Sequence, residues 1–580
     1  MAGMHRNGTG RNVLLRVLCG MLALLVPWVP VVAVRAWNQP THRQINAEAA
    51  RLFLARYGTS SFSDLGTIPL QVSRPVPGIG VAGSTLTAMY HKPEARTLDP
   101  LQWIVLGGDW ADEPNAYSAV RHFYDPLSLS GVPWLTDQWT VHGTIYESPN
   151  TDAKTWGLSH GENPFSFEKA LEYYEKALEI PEAEVPGRFL AGGQFKLLNF
   201  FPEDCAEERR WYLGLAFRAL GESMHLLADM AQPAHVRNDS HPRSEPLEDN
   251  VSPALVAALA AGPVDSRVAA AVGWGTSDSA LPPGQLFDAV AAFTNRHFYS
   301  SDTVCDAPSG VLPSNGEAMI PAPAFADLEE ETYTVFGVTV RRYLGSFLDG
   351  PRKVPLAEET LTSCLVRIQN PFNSPVYHVP PSYAPEQAAV LMPVAVSACA
   401  ELLDRFYPTL TVQGAARMES TGSRTGVQAI RIEASVRHDQ RMDPAWAEAG
   451  RIIEYSGPGA LVFRKDGRFL RSVPLRFAAG HMTGARDRDG KWRDGPVFVY
   501  FRETGGARLD YDEESFEILE GETVRVEVPA GDRILWGPEF SSGSRVPAVR
   551  LTNGAYEGTV GEEVAFSART DRDGTYRFLW

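Results

Sequence analysis

Glu222-Ser-Met-His-Leu-Leu-Ala-Asp-Met-Ala-Gln-Pro-Ala-His-Val-Arg-Asn-Asp-Ser-His241 is the stretch from which the rest of the chain is read. Leu215, Ala216, Ala219, Leu220, Leu226, Leu227 and Met230 recur with a 3.6-residue period, which predicts a helix beginning near Trp211. Off that stripe, Gly221, His225 and Asp229 follow one another at four-residue intervals, so an imidazole and a carboxylate leave one helical face together. Gly221 predicts open space one turn before the His. Pro233 predicts the stop, because it lacks an N–H and disfavours helical geometry at Gln232. His235 and His241 come after the break, and Glu245 and Glu248 beyond them. An isolated His/Asp pair on a helix is commonly a buried hydrogen-bonded pair. Several imidazole and carboxylate donors so close together are the set that Zn²⁺ prefers.

With 580 residues the chain is too long for one ordinary core, and two or three domains are expected. Its 44% hydrophobic and 21% charged content describes a soluble globular protein. Residues 1–36 read as a secretory signal: Arg6, Arg11 and Arg16 precede a mostly apolar run from Val17 to Val34, and Val34-Arg-Ala36 supplies a small-residue cleavage site. An uncleaved anchor is the competing reading of the same run. Cleavage would remove four Arg (Arg6, Arg11, Arg16, Arg35) and no acid, taking the net charge from −17 to −21. No basic footprint for a stable nucleic-acid partner is present, although bound dications would reverse the field locally. Export would place the protein outside the cell or in a periplasm. There Cys205, Cys305, Cys364 and Cys399 could form two disulfides, with three possible pairings.

Along the chain, Thr41 and Gln44 predict a capping box, with His42 in the first turn of the helix it opens. Residues 57–100, rich in Gly, Pro and Ser, read as loop. Asp109 and Asp112 lie in Leu106-Gly-Gly-Asp-Trp-Ala-Asp112, and His122 opens His-Phe-Tyr-Asp-Pro126. Asp125 there reads as a turn residue. Helices are predicted over Ser166–Ile180, with Ser166 as N-cap, over Leu286–Phe298 and over Ala389–Phe406. His142, His160 and His297 read as surface or structural residues. From Leu410 the period changes to two, in Ala429–Val436, Val497–Phe501, Glu522–Val528 and Thr575–Trp580, separated by Gly-containing turns. Asp487-Arg-Asp-Gly490 with Asp494, and Asp571-Arg-Asp-Gly574, have weak Ca²⁺-loop character and are more often hairpin turns.

The word His225-x3-Asp229-x2-Gln232-Pro233-x-His235-x2-Asn238 resembles the signature of the zinc-dependent phospholipase C family, which is similar in fold to the fungal single-strand-specific nucleases. The likeness spans roughly residues 37–406. It implies a mainly α catalytic domain with the phospholipase C/nuclease-like helical fold over 37–407, and the period-two strands beyond it predict an all-β, sandwich-like region over 408–580. It also implies that Trp37, freed by signal cleavage, binds zinc through its α-amino group and carbonyl oxygen, with His42 on the same ion. His122 matches the family's ligand in His-Phe-Tyr-Asp-Pro. The family's upstream catalytic Asp, a ligand and candidate acceptor for the proton of the attacking water, corresponds either to Asp109 or to Asp112. His225, Asp229, His235, His241 and either Glu245 or Glu248 complete a set for about three zinc ions, with Asp229 bridging two. The implied activity is phosphodiester hydrolysis by metal-activated water, on phospholipid first of all. A β region after a helical phospholipase resembles the layout of clostridial toxins, where it docks on membrane. An exported nuclease acting on unpaired bases is the runner-up, and a non-enzymatic, zinc-stabilised surface-binding protein the third reading. A monomer is expected.

Overall fold

The computed structural model describes residues 39–57, 68–70, 96–112, 118–128, 130–136, 139–141, 144–146, 150–179, 202–239, 241, 245–260, 264, 269–270, 272, 281–300, 328–335, 338–347, 353–360, 376–417, 427–437, 455–502, 508–509, 513–530, 533–541, 550–551 and 568–569. Residues 1–36, read as a secretory signal, and Trp37 lie outside them.

Helix α1 (Gln39–Tyr57) begins ahead of Thr41, so the predicted capping box does not form. Instead Thr41 Oγ1 donates to Val251 O at 2.9 Å, and Gln44 Nε2 donates to Glu48 Oε1 at 3.0 Å. The stretch expected to be loop contains an antiparallel ribbon, β1 (Ile68–Leu70) with β2 (Arg96–Leu98). Helix α2 (Pro100–Trp110) follows directly and carries a capping box of its own, with the Asp99 carboxylate on Gln102 N–H, the Gln102 amide oxygen on Asp99 N–H, and Pro100 in the first turn. A second ribbon, β3 (Trp139–Val141) with β4 (Thr144–Tyr146), precedes α3 (Ala153–Leu158) and α4 (Phe167–Glu179). Ser166 Oγ accepts from Lys169 N–H at 3.3 Å as the N-cap of α4.

Helix α5 (Pro202–Asp229) starts well before Trp211 and ends at Asp229, short of Pro233. After it come α6 (Pro246–Asn250), α7 (Pro253–Ala260), α8 (Pro283–His297) and α9 (Ala384–Phe406). By length and composition the segment Pro381–Phe406 could cross a bilayer, but 78% of its apolar 18-residue window is buried, as befits a core helix.

The predicted open space at Gly221 is filled by backbone. A Cβ on Gly221 would stand 2.2 Å from Ile104 O, and one on Gly107 would stand 2.5 Å from Arg218 O. Helices α2 and α5 thus touch main chain to main chain. Asn46 of α1 locks the third helix onto them, its Nδ2 donating at 3.0 Å to both Ile104 O and Gly221 O. Gly221→Ala should therefore destabilise by about 1–3 kcal/mol even though Ala is the better helix former, because two helix backbones must separate. Urea unfolding of the metal-free protein measures it; equal or greater stability in the variant would refute the packing argument.

One departure from a mainly α catalytic region is an antiparallel four-stranded sheet, β5 (Glu329–Val335), β6 (Val338–Gly345), β7 (Val354–Thr360) and β8 (Val376–His378), paired in that order. Its first strand is almost wholly exposed, so no apolar alternation marks it in sequence. Charge pairing across the strands takes that place. Glu331 lies opposite Arg342 and pairs with it, and Arg341 lies opposite Glu359, 3.2 Å away, and also reaches Glu330 at 3.4 Å.

Strand β9 (Thr409–Arg417) begins the C-terminal sheet region just after α9. It is followed by β10 (Val427–Arg437), β11 (Gly457–Lys465), β12 (Arg468–Ala478), β13 (His481–Arg486), β14 (Trp492–Asp494), β15 (Val497–Arg502), β16 (Glu517–Ile518), β17 (Glu522–Ala530), β18 (Arg533–Trp536) and β19 (Phe540–Ser541), all in one 11-stranded sheet. Strand β10 is its corner. It pairs with β9 along its length and with β15 over Val427–Ile432, then meets β13 at Ser435. Gly537, past the end of β18, packs on Val412 of β9, so the sheet curls back on itself. The predicted Thr575–Trp580 and Asp571–Gly574 lie outside the described residues.

Of the two readings of Asp487–Gly490, the hairpin turn is the one that forms: Asp487 Oδ1 accepts from the N–H groups of Asp489 and Lys491 at 3.1 and 2.9 Å, and Oδ2 accepts from Arg493 Nε at 3.0 Å. Gly490, at φ +80°, completes a turn. The two expected disulfides would need all of Cys205, Cys305, Cys364 and Cys399. Cys399 is a free thiol buried in α9, its Sγ donating to Met224 O at 3.2 Å.

Candidate metal centre

Helices α1, α2 and α5 meet at the glycine contact, and one turn from it each presents a side chain to a common buried point. His42 comes from α1, and His225 and Asp229 from α5; Asp112 lies just past the C-cap Ala111 of α2. His42 and His225 stack with ring centroids 3.5 Å apart. The two oxygens of Asp229 face different neighbours. Oδ1 lies 3.3 Å from His42 Nε2, whereas Oδ2 lies 2.9 Å from His122 Nδ1 and 3.5 Å from His225 Nε2. Asp112 Oδ1 stands 3.8 Å from His122 Nδ1 and 3.7 Å from His225 Nε2. Beyond His122, His235 stacks on Phe123 at 4.7 Å, and His241 Nε2 meets Glu248 Oε2 at 3.0 Å.

Main-chain carbonyls that no sequence pattern announces set the rings. His225 Nδ1 donates to Gly108 O at 2.7 Å and His235 Nδ1 to His122 O at 2.9 Å, which leaves each Nε2 with the lone pair. Sets of potential ligand atoms within 4.8 Å of one another are His42/His225/Asp229, Asp112/His122/His225, His122/Asp229/His235 and His235/His241/Glu248. Each set could hold a metal ion.

The two open alternatives fall on different sides of this cluster. Asp109 is still on α2, and its Oδ2 is 2.6 Å from Arg43 Nη2, outside every set. Glu245 is buried at the N-cap position of α6 and belongs to none of them, whereas Glu248, in the first turn of that helix, joins His235 and His241. Glu245 itself is not helical, since its backbone is extended and Pro246 opens α6 only after it. Asp125 is a turn residue, its Oδ1 accepting from Leu127 N–H at 2.9 Å. His160 accepts from Glu162 N–H, and His297 packs on Phe293 and Phe347. His142 lies outside the described residues.

The donors fit a cation. Both oxygens of Asp112 and of Asp229, and Nε2 of His42, His122 and His235, are buried without a hydrogen bond. Such groups are costly in a native interior unless something binds them. Burial holds His42, His225 and His235 well below the usual histidine range, and neighbouring imidazoles add to the effect. Burial also lifts Asp112 and Asp229 well above the usual carboxylate range. Imidazoles so held are ready ligands, whereas the carboxylates must give up protons when a dication enters. Metal binding near neutral pH should therefore release protons and strengthen as pH rises. Calorimetry in buffers of different ionisation enthalpy checks this; binding without proton release would contradict the burial argument.

No protein-family model matches the chain, and no curated protein matches it. Among solved structures it is similar to the alpha toxin from Clostridium absonum, at 12% identity over 87% of this chain and 98% of that one, with a TM-score of 0.23. A likeness of that size is too small to bear on fold or chemistry.

Proposed function

We propose that the chain is a zinc-dependent phosphodiesterase that cleaves phospholipid to diacylglycerol and a phosphorylated head group. The observation that carries this reading is Asp229, a fully buried carboxylate whose two oxygens face separate donor groups. Zinc ions, about three in all, would supply Lewis acidity and a water of lowered pKa for attack at phosphorus. His42, His122, His225, Asp229, His235, His241 and Glu248 would hold them. Asp112, with neither oxygen engaged in a hydrogen bond, takes the proton of the attacking water. The choice of phospholipid over nucleic acid rests on the His122-Phe-Tyr-Asp-Pro126 word and the appended β region. Phe469, Leu470 and Leu519 are 40%, 45% and 50% exposed on that region, and the reading has them meet the lipid surface.

One preparation should be assayed on phosphatidylcholine and on single-stranded DNA, before chelation, after it, and after zinc is returned. Loss and recovery of phosphatidylcholine cleavage is the expected result. Preferential DNA cleavage would turn the assignment to a nuclease, and full activity without metal would refute it altogether.

Export and a processed N-terminus belong to the same proposal. The nitrogen of Trp37 binds metal only as a free amine, so one extra residue ahead of Trp37 should cost about one zinc and impair turnover without unfolding the helices. Equal zinc and equal rate in the two preparations would exclude the terminal ligand.

A further inference from the structure

The segments carrying His122 and His235 run side by side, joined by two hydrogen bonds in opposite directions. His235 Nδ1 donates to His122 O, and Tyr124 N–H donates to His235 O, each at 2.9 Å. Where the main chain leaves this pairing, one side chain continues it. Asn295 Nδ2 donates to Val236 O, one residue past His235, and at 2.9 Å to Asp125 Oδ1, one residue past Tyr124. Arg237 closes the loop, its Nη1 donating to Asn295 O at 2.8 Å. Asn295 is buried on α8, a helix that contributes to none of the sets of potential ligands. The same helix holds Tyr124 from its other end, through Asp288 Oδ1 on the phenol at 2.5 Å.

We propose that Asn295 is a positioning residue: its amide keeps the 122–125 and 235–238 segments in register, so that His235 Nε2 points to His241 and Glu248. Asn has the right chemistry because one NH₂ group offers two hydrogens, one for each segment. Asp at this position has the same shape, no donor, and a negative charge facing Asp125. The proposal rests on the metal reading above and extends it to a residue that touches no ligand atom.

The test uses the full chain loaded with zinc and, separately, with cobalt. Asn295→Asp should release metal to a chelator with about 10–100-fold weaker affinity, the usual scale for residues that orient a ligand. It should also shift the visible absorption of the cobalt form. Adding Asp125→Asn restores a donor between the two positions and should recover part of both losses. Wild-type affinity and spectrum in Asn295→Asp would overturn the proposal. So would equal destabilisation of the metal-free and metal-loaded forms with no spectral change. Should Asn295→Asp not fold, Asp125→Asn alone removes the charged acceptor and should give a smaller shift of the same kind; none would overturn the idea. A wild-type chain that binds no metal would instead remove the proposed function.

Discussion

Asp229→Asn should lose most of its bound metal and about 10³-fold or more in phosphodiester turnover, the several kcal/mol that metal charge supplies to a phosphoryl transition state. The substitution keeps size and shape in a site with no solvent exposure, so the loss is electronic rather than steric. An amide has one oxygen where the carboxylate has two. It can therefore serve the His42 side or the His122/His225 side, not both. Burial favours neutral groups at this position, and the metal-free variant should be at least as stable as the metal-free wild type. Zinc content, turnover and chelated-state melting, measured together, check the three parts. Wild-type metal and rate would dismiss the bridging role.

Asp112→Asn and Asp109→Asn should separate almost as widely. The first removes a proton acceptor and a candidate ligand in one change, and should cost about 10²–10⁴-fold, the range for a general base. The second breaks the pair with Arg43 at 2.6 Å, whose guanidinium is nearly half exposed, and should stay within about fivefold of wild type in rate. Reversed ranks would make Asp109, not Asp112, the proton acceptor.

That pair of carboxylates marks where the sequence stopped being informative. His225, Asp229 and His235 are legible because helical spacing and a proline fix their relations locally. Choosing between Asp109 and Asp112 depends on where α2 ends, and helix ends are set by tertiary packing as much as by local propensity. Glu248 presents the same difficulty: Pro246 starts a five-residue helix too short to leave a period. The glycine contact was misread because periodicity tells which residues share a face, not what lies against it. Gly221 and Gly107 are far apart in sequence, and only the fold brings their backbones together. The strands of the C-terminal region, by contrast, alternate apolar and polar residues and could be seen at once.

The acidic strand β5 bears on how copies of the chain behave toward one another. Among the described residues it is the outer member of its sheet, and seven residues of unpaired edge are a natural template for a strand from another molecule. Glu329, Glu330 and Glu331 stand exposed along that edge. Strand addition by a second copy would bring a further run of glutamates close to the first, away from Arg341 and Arg342 on β6 and from Lys353, which now neutralise them. The ion pairs that hold the sheet together inside one molecule thus also make it a poor seed for aggregation, a protection that should weaken in high salt.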